Sequence, residues 1–158
     1  MKLHKKYSHI KLLLIGPFEE DLDPVSPETY NSIQTHEAII SEGYQADIRK
    51  YLTISNVLAF PSYREGFPNV VMQAGAMEIP AIVTNINGCN EIIIESVNGL
   101  IIPVKDENAL YYTMEKLILD KELLKELTRN ARKEITSNYE RAEFWKILLA
   151  EYKSLEKV

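Results

Sequence analysis

Short apolar runs alternate with amphipathic stretches along this chain of 158 residues. The runs have strand length, and each is followed by apolar residues at helical spacing. The pattern predicts strands over 9–16, 37–42, 56–60, 80–84 and 100–102. It predicts helices over 2–7, 27–35, 47–53, 69–78 and 91–95, and three more that begin near 106, 121 and 140. Such alternation is typical of an α/β domain with a mostly parallel sheet that helices cover on both faces.

Three loops follow predicted strands at their carboxyl ends. They span 16–18, 63–69 and 85–90. In open parallel sheets, ligands bind beyond the carboxyl ends of the strands, near the point where the strand order reverses. We therefore expect the three loops to meet at one rim and to form a binding site there.

The stretch 61–77 reads Pro-Ser-Tyr-Arg-Glu-Gly-Phe-Pro-Asn-Val-Val-Met-Gln-Ala-Gly-Ala-Met and predicts a turn between a strand and a helix. Pro68 is expected at the first helical position, with Gly66 or Phe67 at the cap. The free amides of a helix start and its positive dipole end suit phosphate oxygens, and the Glu65 carboxylate can accept hydrogen bonds from a sugar hydroxyl. The alternative is an ordinary connection, because α/β domains use Gly, Pro and acids in such turns.

Composition is ordinary for a globular protein, with 46% apolar and 26% charged residues. The length predicts a single domain over 1–158. A formal charge of −5 gives no electrostatic case for nucleic-acid binding. The basic start and the apolar run after it do not predict a secretory signal, because Lys11 interrupts the run. No apolar run approaches the ~20 residues of a membrane span, and we expect a cytoplasmic location.

Several chemically capable side chains favour structural roles. Cys89 is the single cysteine, which excludes an internal disulfide and a cysteine-rich metal site. It is expected to pack rather than react. The three histidines, His4, His9 and His36, lack metal-ligand spacing and are interpreted as surface or strand residues. The aromatic residues on helical stripes are predicted to lie in the core: Trp145, Tyr111 and Tyr112.

The segments 61–74 and 84–91 together resemble the donor-binding, C-terminal half of glycosyltransferase family 4, within the glycosyl transferases group 1. These are retaining enzymes built from two Rossmann-like domains, the GT-B architecture. The resemblance implies a Rossmann-like domain that binds a nucleotide-diphospho-sugar without an obligatory metal or other cofactor. It also implies a role in polysaccharide or glycoconjugate synthesis and a missing N-terminal acceptor-binding domain as partner. Only the full enzyme would associate peripherally with a membrane.

The resemblance assigns roles to individual positions. Glu65 matches the acid associated with the donor sugar and is the candidate catalytic residue. The remaining donor-binding candidates follow the family motifs: Arg64, Gly66, Phe67, Pro68, Asn69, Gln73, Asn87 and Gly88 near the sugar and phosphates, with Gly16 and Tyr44 lining the base pocket. Gln73 is a departure, because the family usually has a ribose-binding glutamate there.

Other departures concern what precedes residue 9. The family's first strand, followed by a cationic Gly-Arg and Lys pair, has no counterpart, and Arg64 would replace that pair only partly. We expect either direct pairing of the strands at 9–15 and 56–60, or completion of the sheet by another chain. The isolated chain should show no turnover. In the family the last helix often returns to the other domain. A surface left exposed in this chain could therefore include Phe144, Trp145, Leu148 and Leu149.

Two other functions stay open on the sequence. A non-catalytic nucleotide-sugar-binding or regulatory module is favoured by Gln73 and by the missing cationic pair. A related two-domain epimerase is weaker, because that class lacks the spacing between residues 65 and 73.

Overall fold

The computed structural model describes residues 2–18, 21–22 and 24–156. The chain forms two compact units, Met1–Lys50 and Tyr51–Val158. The single domain expected over 1–158 stays a prediction. None of the helices in the described part of the chain has the length and apolarity needed to cross a membrane.

The first unit contains two short parallel strands and their helices. Helix α1 (Lys2–Lys6) precedes β1 (Leu12–Leu14), and α2 (Pro27–Thr35) precedes β2 (Ile39–Ser41). Strand β1 pairs with β2 from Leu12↔Ile39 to Leu14↔Ser41. The Ser26 side chain caps α2 by accepting from the N–H of Thr29, as a serine before proline at the first helical position predicts. Both strands have three residues, fewer than their apolar runs predict.

The second unit is built on a three-stranded parallel sheet. After α3 (Arg49–Leu52), which lies at the boundary between the units, the elements in chain order are β3 (Leu58–Phe60), α4 (Asn69–Ala76), β4 (Ala81–Thr84), α5 (Cys89–Ile92), β5 (Gly99–Ile102), α6 (Glu107–Leu119), α7 (Lys121–Asn138) and α8 (Arg141–Leu155). The strand order is β3-β4-β5. Leu58 lies opposite Ala81, and Ala81 lies opposite Gly99.

Strand β4 is the centre of the packing, because all four of its residues are buried. Its side chains alternate between two apolar clusters, as strand geometry requires. Ala81 and Val83 pack with residues of α4, α5 and α7, including Val71 and Ile92. Ile82 packs in the other cluster, with residues of β5, α6 and α7. Helices therefore cover both faces, which confirms the predicted α/β fold class with parallel strands.

The small residues of α4 serve a helix contact. A Cβ atom on Gly75 would lie 2.5 Å from the Cγ1 atom of Ile135 in α7. The sequence suggests that Ala74, Gly75 and Ala76 would allow close approach to the sheet. For Gly75 this is wrong, since the close neighbour is α7. A guanidinium N–H of Arg132 also donates to the carbonyl of Ala76 at 2.6 Å, which fixes the end of α4 against the same helix.

Helix α8 buries none of its described side chains. Trp145 is 51% exposed and Tyr112 of α6 is 64% exposed, so the prediction that they belong to the core is wrong. Tyr111 is half-buried. Helical spacing alone identifies a stripe of apolar residues but not whether another element covers it.

Strand pairing is described within each unit: β1 pairs with β2 in the first, and β3 pairs with β4 in the second. Direct pairing of the strands at 9–15 and 56–60 stays a prediction, and so does completion of the sheet by another chain.

Candidate functional site

The turn after β3 holds a half-buried carboxylate in a fixed orientation. The hydroxyl of Ser62 donates to Oε1 of Glu65 at 2.7 Å. The hydroxyl of Thr84, a buried residue at the end of β4, donates to the carbonyl of Ser62. Thr84 therefore ties the turn to the central strand. Glu65 keeps acceptor capacity for a ligand, because a carboxylate offers about four lone-pair sites.

Helix α4 begins at Asn69, as predicted for the helix over 69–78, but Pro68 lies one position before the first helical residue. Pro68 is the N-cap, with φ −73° and ψ 108°, and Asn69 is the first helical residue. The carbonyl of Pro68 accepts from the N–H of Val71 at 3.1 Å. Asn69 and Gln73 are both exposed and lie one turn apart, on the same side of α4. The first-turn amides of a helix have no intrahelical acceptors, so this end suits an anionic or hydroxyl-rich ligand.

Gly88 brings the loop after β4 against the turn after β3. Its φ is +77°, and an added Cβ would lie 2.1 Å from the carbonyl oxygen of Gly66 and 3.1 Å from Cδ of Pro68. Only glycine fits this approach, because both the backbone conformation and the available space exclude a side chain. The N–H of Gly88 donates to Oε1 of Glu91 at 3.1 Å, which fixes the start of α5. The loops 64–69 and 85–90 therefore meet.

Cys89, at the start of α5, packs in the apolar cluster that contains Val71 and Ile92. Its thiol is free and fully buried, which confirms the expected packing role. Burial raises the pKa of the thiol, and the negative charge of Glu65 raises it further.

Tyr139, the residue that caps the end of α7, contacts both the loop 64–69 and helix α5. Its ring lies 5.5 Å from the ring of Phe67, edge to face. Its hydroxyl donates to the carbonyl of Glu91 at 2.6 Å. Burial, and then the charge of Glu91, raise the pKa of the Tyr139 hydroxyl. It stays protonated at neutral pH and able to donate this bond.

The predicted base-pocket residues meet within the first unit. The N–H of Gly16 donates to the carbonyl of Gly43 at 2.8 Å. Gly16 has φ +143° and Gly43 has φ +62°, conformations that favour glycine. Tyr44 follows Gly43 and is largely exposed. The structure thus brings Gly16 and Tyr44 to one pair of loops. Their convergence with the loops of the second unit stays a prediction.

The other predicted residues are exposed at the two loops of the second unit. Arg64 and Asn87 both present exposed side chains. The Oδ1 atom of Asn85 accepts a hydrogen bond from the side-chain NH₂ of Asn90 at 2.9 Å. This hydrogen bond joins two uncharged side chains and stabilises the loop 85–90.

The histidines and acids form no metal site that the structure reveals. His4 and His36, distant in sequence, meet edge to face at 5.5 Å, and Nε2 of His4 lies 3.2 Å from Oε1 of Glu37. Within the described residues, no group of three or more His, Cys, Asp or Glu side chains has a metal-binding arrangement. The sequence did not predict that His4 and His36 would be neighbours.

Sequence reasoning missed four residues that position the site: Ser62, Thr84, Glu91 and Tyr139. Glu91 follows Gly88 by three residues, the spacing at which a glutamate reaches back to the start of a helix. The sequence therefore contained a signal for the contact of Glu91 with Gly88. Thr84 contacts Ser62, 22 residues away in the sequence, and Tyr139 contacts Glu91, 48 residues away. Local sequence patterns do not predict contacts over such separations.

Comparison with known proteins finds similarity to glycosyltransferases in both sequence and fold. The capsular polysaccharide biosynthesis glycosyltransferase CapM of Staphylococcus aureus is 29% identical over 149 residues, which cover 94% of this chain and 39% of that protein. The chain thus spans well under half the length of this curated relative. The structure of Anabaena HepE in complex with UDP has a TM-score of 0.83 at 20% identity, covering 92% of this chain and 41% of HepE.

A structure of similar extent is also known. The C-terminal domain of the glycosyl transferase group 1 family protein LpcC from Francisella tularensis has a TM-score of 0.76 at 25% identity. The match covers 87% of this chain and 74% of the LpcC chain. The family model of the glycosyl transferases group 1 matches residues 1–134, which include both loops of the candidate site. This chain therefore belongs to the glycosyl transferases group 1 family.

Proposed function

We propose that this chain is the nucleotide-diphospho-sugar-binding domain of a retaining glycosyltransferase, corresponding to the C-terminal half of a family 4 enzyme. The observation that carries the proposal is the approach of Gly88 to the carbonyl of Gly66, which joins two loops beside the Glu65 carboxylate. The structures of HepE with UDP and with UDP-glucose support it, because the chain shares the fold of that protein.

Each part of the site receives a role in this proposal. Glu65 accepts hydrogen bonds from hydroxyls of the donor sugar. The amides of Gly66, Phe67 and Asn69, around the start of α4, face the sugar and the phosphates, and the loop with Asn87 and Gly88 closes over them. Gly16 and Tyr44 contact the base, and Gln73 contacts the ribose. A glutamine keeps an acceptor for this contact but loses about 1 kcal/mol relative to a charge-assisted bond.

The reaction would break the bond between the sugar and the diphosphate. Main-chain amides and cationic side chains stabilise the negative charge that develops on the leaving diphosphate, without an obligatory metal. The acceptor would bind to a separate N-terminal domain, as the length of the relatives suggests. The full enzyme would act in the cytoplasm, in polysaccharide or glycoconjugate synthesis. This chain by itself binds the donor but does not transfer the sugar.

A second candidate function is a non-catalytic nucleotide-sugar-binding or regulatory module. Gln73 favours it, because an exposed glutamine replaces the acid on α4 without removing the rest of the site. Both candidates predict donor binding. They differ in whether the chain supports sugar transfer once an acceptor domain is supplied in trans.

Calorimetric titration with uridine, guanosine and adenosine diphosphate sugars tests the proposed site. One of these donors should bind, and Glu65→Ala should weaken it roughly tenfold or more, because a charge-assisted hydrogen bond is lost. Glu126→Ala is the matched control, since Glu126 is an exposed acid on α7. It should bind like the parent chain. If Glu65→Ala also binds like the parent, the site assignment is wrong.

A transfer assay tests the claim about activity. The chain of 158 residues, incubated with the donor that binds and with lipid-linked or soluble sugar acceptors, should give no transfer product. Measurable transfer by this chain alone would contradict the need for a separate acceptor domain.

A further inference from the structure

A third loop reaches the candidate site from the far strand of the sheet. Strand β5 ends at Ile102, whose carbonyl accepts from the N–H of Asn85 at 2.8 Å, so this loop begins beside the loop 85–90. Lys105 lies in it, and its Nζ atom is 5.5 Å from the centre of the Tyr63 ring. Tyr63 precedes Glu65 by two residues. The Lys105 side chain therefore extends from the end of β5 to the turn after β3.

The backbone of Lys105 adopts a conformation that lysine disfavours. Its φ is +57°, in the left-handed region where side-chain-bearing residues are strained and glycine is not. A glycine would make the turn into α6 more easily. Lysine instead places an ammonium group over an aromatic face, where the electron-rich ring attracts it. Tyr63 is 66% exposed, so the pair faces solvent and can contact a ligand.

The charges around the turn give this ammonium group a function. Glu65 is negative, the chain carries a formal charge of −5, and the proposed donor is itself an anion. An anion beside a carboxylate needs a nearby cation, because like charges raise the free energy of the complex. Lys105 and Arg64 are the cationic side chains that the described loops 61–68 and 103–106 contain.

We propose that Lys105, held by the ring of Tyr63, binds an anionic oxygen group of the donor and helps to determine which donor is accepted. This inference rests on the proposed function. Two sources of the anionic group share this chemistry: the diphosphate, present in every donor, and a carboxylate on the sugar, present in a uronic acid. In the first case Lys105 contributes to affinity, and in the second it selects the sugar.

Calorimetry with three probes separates the two sources. The probes are UDP, UDP-glucose and UDP-glucuronic acid, and the variant is Lys105→Met, which keeps the aliphatic stem without the charge. If the diphosphate is bound, the variant should weaken all three probes by roughly tenfold. If the sugar carboxylate is bound, it should weaken UDP-glucuronic acid alone. Lys125→Met, at an exposed position of α7, changes net charge equally and should bind like the parent chain.

A stability measurement distinguishes ligand binding from a structural role. Lys105→Gly removes the backbone strain, so its Tm should be at least that of the parent while its donor affinity falls. A purely structural pair with Tyr63 predicts the reverse, a lower Tm with unchanged affinity. Tyr63→Phe keeps the ring and should retain binding, whereas Tyr63→Leu should weaken it, since the ammonium group loses its support.

The outcomes separate this inference from the proposed function. If the parent chain binds none of the three probes or the other nucleotide sugars, the proposed function is wrong. If the parent binds and Lys105→Met binds every probe equally well, the role of Lys105 is wrong and the proposed function stands. Lys105→Arg should bind like the parent, and a loss as large as that of Lys105→Met would show that the contact does not depend on charge.

Discussion

The two compact units differ in how their apolar residues are used. In the second unit, β4 is buried along its whole length and lies between two apolar clusters. In the first unit, Leu3 and Ala38 are the buried residues among those that the structure describes. Leu12 in β1 and Ile40 in β2 are exposed. The first unit also has polar contacts at its surface, such as Arg49 with Asp47 and His4 with Glu37. The loops 64–69 and 85–90, which approach each other at Gly66 and Gly88, therefore belong to the second unit, which has the larger buried core.

Substitution of two isoleucines, one in each unit, should show the difference in packing most strongly. Ile82, in β4, has no exposed surface, whereas Ile40, in β2, is 45% exposed. Ile82→Ala should lower the free energy of unfolding by about 3 to 5 kcal/mol, since it leaves a cavity in the core. Ile40→Ala should cost about 1 kcal/mol or less. Denaturant titration followed by circular dichroism measures both, and equal losses would show that the units are packed alike.

Gly88→Ala tests the contact between the two loops. The added methyl group would overlap the carbonyl of Gly66, and the residue would keep a strained positive φ. The free energy of unfolding should fall by about 2 to 4 kcal/mol. Gly66→Ala is the stability control, because its added Cβ would meet no atom within 4 Å. A mild Gly88→Ala variant would mean that the loops do not approach each other as described.

Tyr139→Phe removes one hydrogen bond from the support of the site. The ring contact with Phe67 stays, but the bond to the carbonyl of Glu91 is lost. The expected loss of stability is about 1 kcal/mol. Tyr112→Phe serves as the control, since the Tyr112 side chain is mostly exposed, and it should change thermal unfolding little. Equal behaviour of the two variants would contradict the role of Tyr139.

The smallest expected effect is a pH dependence in the first unit. The hydrogen bonds from Arg49 lower the pKa of Asp47 from 3.8 to about 2. Because the folded pKa is below the unfolded value, the stabilisation is present above about pH 4 and is lost as the pH falls through about 2. Carboxyl NMR titration measures this pKa. In Arg49→Gln the pKa of Asp47 should return toward its usual value, and an unchanged pKa would rule out the pairing.

The sequence predicts local features of the fold well, because local chemistry determines them. The apolar run 80–84 and the cap at Ser26 both give the elements that the structure contains. The position assigned to Pro68 at the start of α4 is wrong by one residue, since helix boundaries vary by a residue and proline is acceptable on either side of this one. The burial of Trp145 is wrong for a different reason. Helical spacing shows which residues share a face, and only the tertiary structure shows whether that face is covered.

The residues of the candidate site also fall into those that the sequence predicts and those that it does not. Glu65 and Gly88 are readable from motifs, because a turn before a helix and a glycine at a close approach leave a trace in the sequence. The residues that hold the loops in place cannot be predicted from the sequence. Thr84, Tyr139 and Lys105 reach the loops from other elements, and their contacts depend on the order of the strands and on the packing of α7.

An amide NMR titration tests the proposed donor site most directly. The chain is titrated with UDP-glucose, or with whichever donor the calorimetry identifies. Binding should shift the amide signals of 64–69 and of 87–89 together, along one saturation curve, and leave those of α8 unchanged. Shifts confined to one of the two loops, or shifts only elsewhere in the chain, would contradict the account of a donor site formed where Gly88 meets Gly66.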